Sequence, residues 1–132
     1  MKMGHNNPLK LPRTRQIWQG LAPLQDDPYY YQFCHIVYGY RAAFIVLRSL
    51  IWSRRLTTVA RVLTYWMPDA DGADSELYTA RVCALTGFSP DDRLDPTDAN
   101  HMIPLVSAIS RIENGKPARP LEVIAAWRLY MG

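Results

Sequence analysis

Glu113 stands in Arg111-Ile112-Glu113-Asn114-Gly115, in the last turn of a predicted helix and just before an Asn-Gly stop. A carboxyl there faces the negative end of the helix macrodipole, which makes it a readier proton donor than a freely solvated one. The same motif also reads as a plain helix cap. Near the other end, Asn6-Asn7-Pro8 sets two amides in a turn, where they can bond backbone or a polar ligand such as an N-acetyl sugar. Trp18-Gln19-Gly20 puts an indole beside a glycine, suited to stacking on a sugar face or to filling a core. In the run Tyr29-Tyr30-Tyr31 alternate side chains point to opposite faces, so at least one meets solvent and could line a groove.

The elements that must hold these residues are mainly helical. Residues 5–35 show no helical period and are broken by Pro8, Pro12, Pro23 and Pro28, so they read as loop, with residues 16–18 and 30–33 able to pair as a small hairpin. A first helix is predicted over 38–54, with Ala43, Phe44, Leu47, Leu50 and Ile51 inward and Arg41, Arg48 and Arg55 in a row elsewhere. Tyr38-Gly39-Tyr40 at its entry allows close approach of another backbone.

A second helix follows over 58–66, capped by Thr57 or Thr58, stopped by Pro68 and expected to pair antiparallel with the first. A third runs over 74–86, with Tyr78, Val82 and Leu85 buried, Asp74 or Ser75 as cap and Gly87 as its left-handed end. Because proline suits a first turn and not a helix middle, Pro104 places the start of the fourth helix near Ile103. The last spans 120–131 and presents Leu121, Ile124, Ala125 and Trp127 to the core. This is one mainly α domain of about five helices, with residues 1–37 loop-rich or partly β and residues 38–132 as its helical body.

Composition narrows the function classes. With 132 residues, 48% hydrophobic and 20% charged, the chain suits a single globular domain. A net charge of +3 favours anionic partners only weakly, and no reading helix or aromatic-basic platform singles out nucleic acid. Cys34 and Cys83 lack metal-ligand spacing and sit on apolar stretches; they are expected as buried thiols, with a single long-range disulfide as the alternative. No metal or cofactor motif is present, and no Ser/His or Cys/His triad spacing appears. The start of the chain has no apolar signal core, and the longest greasy run, 42–47, is too short for a bilayer. Nothing here exports the chain, so a reducing cytoplasm is the expected setting.

Read in order, Asn6-Asn7-Pro8, Trp18-Gln19-Gly20, Gln32-Phe33, Tyr38-Gly39-Tyr40-Arg41-Ala42, Thr58 through Trp66-Met67-Pro68, Tyr78, Leu85-Thr86-Gly87 and Arg111-Ile112-Glu113-Asn114-Gly115 resemble a phage and prophage family. Its members are small virion-associated or lysis-cassette proteins of lysozyme-like type, whose pattern opens Asn-Asn-Pro-Gly-Asn-Ile and closes Glu-Asn-Gly. The resemblance covers roughly residues 5 to 115 and rests on order and spacing. It implies a lysozyme-like helical domain that binds the glycan strands of peptidoglycan and cleaves them as a glycoside hydrolase or lytic transglycosylase.

On that footing Glu113 is the candidate general acid, with Asp71 or Glu76 as second carboxylate or the sugar's own acetamido group assisting. Asn6, Asn7, Trp18, Gln19 and Tyr31 are the candidate substrate contacts. The departures point to a retired enzyme as the alternative: Leu9-Lys10-Leu11 replaces Gly-Asn-Ile, and Asp71-Gly72-Ala73-Asp74 replaces a Glu-Asn-x-Thr stretch. A different class of function competes with it, a non-enzymatic phage-derived binding protein that blocks a host protein or binds a phage protein.

Overall fold

The computed structural model describes residues 5–66 and 73–132. Its helices are α1 (Ile36–Trp52), α2 (Val59–Trp66), α3 (Ala73–Thr86), α4 (Ala99–Asn114) and α5 (Pro120–Met131), and among the described residues there is no β-sheet, only isolated bridges. The mainly α class and the five helices are as the sequence periodicity implies. The chief contacts are α1 on α5, α2 on α3 and α3 on α4, while α1 and α2 touch only lightly. Phe44, Leu47, Val59, Val62, Leu63, Val82, Leu105 and Ile109 are fully enclosed in the core they make.

Local chemistry sets most of the ends. The His35 side chain accepts from Val37 N–H at 3.1 Å and starts α1 two residues earlier than apolar period alone suggests. Thr58 Oγ1 accepts from Arg61 N–H and caps α2. Two more orphan donors of that helix, the N–H groups of Val59 and Ala60, are taken by the carbonyls of Asp92 and Pro90 in the loop after α3. Gly87 closes α3 at φ 80° and Gly115 closes α4 at φ 72°, both left-handed.

The largest departures from expectation are in α4 and α5. α4 begins at Ala99, not near Ile103, because Asp98 caps it by accepting from Asn100 N–H at 2.8 Å. Pro104 then lies inside the helix, where the carbonyl it leaves without a partner belongs to Asn100, on the exposed side facing water. α5 carries two apolar stripes. The one that docks is Val123, Ala126, Trp127 and Tyr130, because Trp127 and Tyr130 close on Phe44 of α1 with ring centroids 5.2 and 5.4 Å away. Leu121 is left 81% exposed, and Ile124 and Ala125 are only half-buried. Leu85 is likewise turned outward, at the last turn of α3, where the space towards α4 opens beside Arg111.

The N-terminal segment is a clipped ribbon with a small core of its own: Leu11, Trp18, Tyr31 and Phe33 pack against Ala42 of α1. Residues 30–33 do pair, but not with 16–18. Residues 29 and 31 bond Arg13 and Leu11 on one side, while 32 and 34 bond Ala22 and Gly20 on the other. Residues 16–18 form the connection between those two edges, and Pro12, which has no N–H to donate, sits on an edge as it must. Cys34 is exposed because the alternation that buries Tyr31 and Phe33 turns it outward; Cys83 is half-buried and both thiols are free.

Candidate functional site

Asn7 is the centre of the ribbon. Its amide nitrogen donates to the carbonyls of Leu11 and Tyr31, each at 3.0 Å, and its Oδ1 accepts from Leu11 N–H at 2.8 Å. All this occurs out of contact with water, so the side chain is spent on building the turn, with both amide hydrogens taken by backbone. Asn6 takes φ 51°, a left-handed value that asparagine tolerates, and donates to Phe33 O at 3.1 Å. The ribbon lies directly on α1: a Cβ on Gly39 would meet the Asn6 carbonyl, and one on Gly20 would run into the Tyr38 ring.

The Glu113 motif fastens the ribbon to the far end of the chain. Glu113 Oε2 accepts from Tyr78 O–H at 3.0 Å, and Oε1 lies 3.7 Å from Lys10 Nζ. The Asn114 amide donates to Pro8 O and to Ser110 O, both at 2.8 Å. Burial first, and the Glu113 charge second, push the Tyr78 phenol well above its ordinary range, so it stays a donor in this pair. Glu113 is thus partnered on both oxygens. It does not share a groove with Trp18 and Tyr31, where the sequence pattern implied a common cleft. Glu76 lies exposed in the first turn of α3 on a different face from Tyr78, and Asp71 falls outside the described residues.

Two hollows flank the ribbon. The first, of about 540 Å³, lies between it and the turn joining α4 to α5, and Asn6 and Asn7 form part of its wall. Tyr40 and Ser110 meet there through their hydroxyls at 3.0 Å, Lys116 and Arg119 bring positive charge, and Glu122 is its carboxylate. Burial raises the Tyr40 phenol, and the charge of Glu122 acts in the same direction. Beside it, His5 bonds Asp27 at 2.8 Å, and Asp27 also accepts from the N–H groups of Tyr29 and Tyr30.

The second hollow, of about 510 Å³, is an aromatic groove between ribbon, α1 and α2. Trp18 and Tyr31 form its wall but are not the open faces pictured from sequence. Trp18 is only 8% exposed, and Tyr31 O–H donates to Gln16 O at 2.6 Å. The exposed rings are those of Trp52, 56% exposed, and Tyr65, one face of which Arg54 covers at 4.9 Å. Thr14, Gln16, Ser49 and Ser53 put hydroxyl and amide groups along the same groove, and among the described residues no carboxylate lines it. Gln19 is exposed outside both hollows, and Tyr29 is the solvent-facing tyrosine of its run.

Neither Trp52 nor Tyr65 stood out in the sequence, since each lies near an end of an apolar helix and carries no motif. Glu122 was equally inconspicuous. The arginine row is not one solvated face: Arg48 covers the Tyr130 ring at 5.4 Å, and the Arg41 Nε is enclosed without a hydrogen-bond partner among the described residues. Among those residues no group of three metal-ligating side chains gathers, and no helix is long and apolar enough to cross a membrane.

No protein family model matches the chain. It is 28% identical over 114 residues to Protein P5 of Pseudoalteromonas phage PM2, a stretch covering 84% of this chain and 69% of that protein. That likeness supports a phage origin and fits a virion or host-cell setting.

Proposed function

We propose that this phage-related protein binds the glycan strands of peptidoglycan along the aromatic groove, and that Glu113 holds the fold together instead of cleaving the strand. The observation that carries the proposal is the pairing of two exposed aromatic side chains, Trp52 and Tyr65, with a line of small polar groups in one groove of about 510 Å³. Sugar rings present C–H faces that pack on aromatic rings and hydroxyls that need hydrogen-bond partners, and this groove supplies both. Among the described residues no carboxylate lines it, which favours holding over hydrolysis, since glycoside cleavage calls on a pair of them. The Lys10 and Tyr78 contacts give Glu113 a structural task that links α3, α4 and the ribbon.

Sedimentation of the chain with purified sacculi, set beside a zymogram on the same material, tests this. The expected result is co-sedimentation that Trp52→Ala weakens, with no clearing zone. Clearing that Glu113→Gln abolishes, without loss of fold, overturns the binding-only role, and failure to sediment overturns the glycan itself.

A further inference from the structure

Leu85 and Ile124, both expected in the core from helical spacing, instead line a groove that the helices leave open. Two contiguous hollows of about 360 and 340 Å³ make it, sharing Leu85 and Arg111. Its floor is apolar, with Ile103, Ala108 and Ile112 from α4, and Pro117 and Pro120 close one end. Arg81 and Arg111 stand in its lining, both exposed and neither in an ion pair among the described residues. Among the described residues no aspartate or glutamate lines either hollow. Leu77, one turn before Arg81 on the same face of α3, is exposed as well, so the apolar edge continues beyond the groove.

We propose that this groove is the docking site for an acidic amphipathic helix of a partner protein. A helix laid between α3 and α5 buries its apolar stripe on Leu85, Ile103 and Ile124, and acidic residues flanking that stripe meet the two unpaired guanidinium groups. Charge selects this occupant over a second copy of the chain. A two-fold contact would set Arg81 and Arg111 against their own counterparts, with no carboxylate in the groove to offset the repulsion. The site is separate from the aromatic groove, sharing no lining residue with it.

The test uses the full chain and two synthetic helical peptides with one leucine stripe, flanked by glutamates in one and by lysines in the other. Methyl NMR titration is expected to show the glutamate peptide binding at least about tenfold more tightly, with shifts at Leu85, Ile103 and Ile124. Paired Arg81→Glu and Arg111→Glu substitutions, both at exposed sites, should reverse that preference while the circular dichroism spectrum stays unchanged. Equal affinity for the two peptides, no binding of either, or shifts centred on Trp52 overturns the proposal. Self-association lost on Leu85→Lys overturns it too, by assigning the face to a second copy. Because none of these readouts involves sacculi, glycan binding stands or falls independently.

Discussion

The two hollows on either side of the N-terminal ribbon have nearly the same volume, about 540 and 510 Å³, and opposite chemistry. Among the described residues, the polar cleft has a carboxylate, Glu122, two cations and a hydroxyl pair, with Tyr40 as its one aromatic ring apart from His5; the aromatic groove has four aromatic residues and no acid. A site that cleaves sugars needs stacking faces and acids together, and here a single layer of chain keeps them apart. Asn7 is that layer. It lines the polar cleft while holding the backbone of Leu11 and Tyr31, which line the aromatic groove. The ribbon thus shapes both hollows, and damage to it should be felt in both.

The largest effect expected is therefore at the shared wall. Asn7→Ala leaves the Leu11 N–H and the Tyr31 carbonyl enclosed without partners and takes one of two donors from the Leu11 carbonyl, which should cost about 3 kcal/mol and lower the thermal midpoint together with glycan binding. A variant that melts like the parent would show that the ribbon is not what shapes the hollows. Next comes the aromatic groove alone. Trp52→Ala removes an exposed indole, so melting should stay within about 0.5 kcal/mol of the parent. Its affinity for soluble glycan fragments, read by calorimetry, should fall by roughly tenfold, the worth of one stacking contact.

Glu113→Gln separates fastening from catalysis. The amide oxygen can still accept from Tyr78, so the loss is the half-exposed Lys10 pair, about 0.5 kcal/mol, diminishing with added salt in denaturant melts. Loss of glycan affinity in that variant would tie the two sides of the ribbon more closely than the geometry suggests. The smallest effect concerns acid. Hydrogen bonds from Tyr29 N–H and then His5 hold the Asp27 carboxyl below its ordinary value of 3.8. A folded-state value below the unfolded one gives stability that is present above about pH 4 and lost as pH falls through the depressed value. Asp27→Asn should accordingly flatten the loss of stability below pH 4, read by fluorescence-monitored denaturant melts, and remove the parent's small advantage at neutral pH.

The helices were legible because their signals are local. Apolar spacing, Thr58, Gly87 and Gly115 place most ends within a residue or two. Pro104 misplaced the start of α4, because a proline excludes its own N–H bond but cannot tell that Asp98 has already begun a helix with its open carbonyl turned to water. α5 holds two stripes of equal helical spacing, and only the presence of Phe44 opposite chooses Trp127 and Tyr130 over Leu121. The candidate site was legible in part. Asn6-Asn7-Pro8 and Glu113-Asn114 do meet, through Lys10 and Pro8, but as fasteners. Trp18 and Tyr31 do line a groove, although its exposed rings are those of Trp52 and Tyr65.

The sequence by itself determined a mainly helical chain, where most of its helices stop and start, and that a proline-broken segment precedes them, since backbone hydrogen bonding and side-chain period act over a few residues. Only the tertiary structure decided which side of the ribbon each functional group faces. A carboxylate is an acid or a fastener according to what stands within about 4 Å of it. For Glu113 those neighbours are Lys10 and Tyr78, brought from 103 and 35 residues away by the packing of the ribbon and α3 on α4.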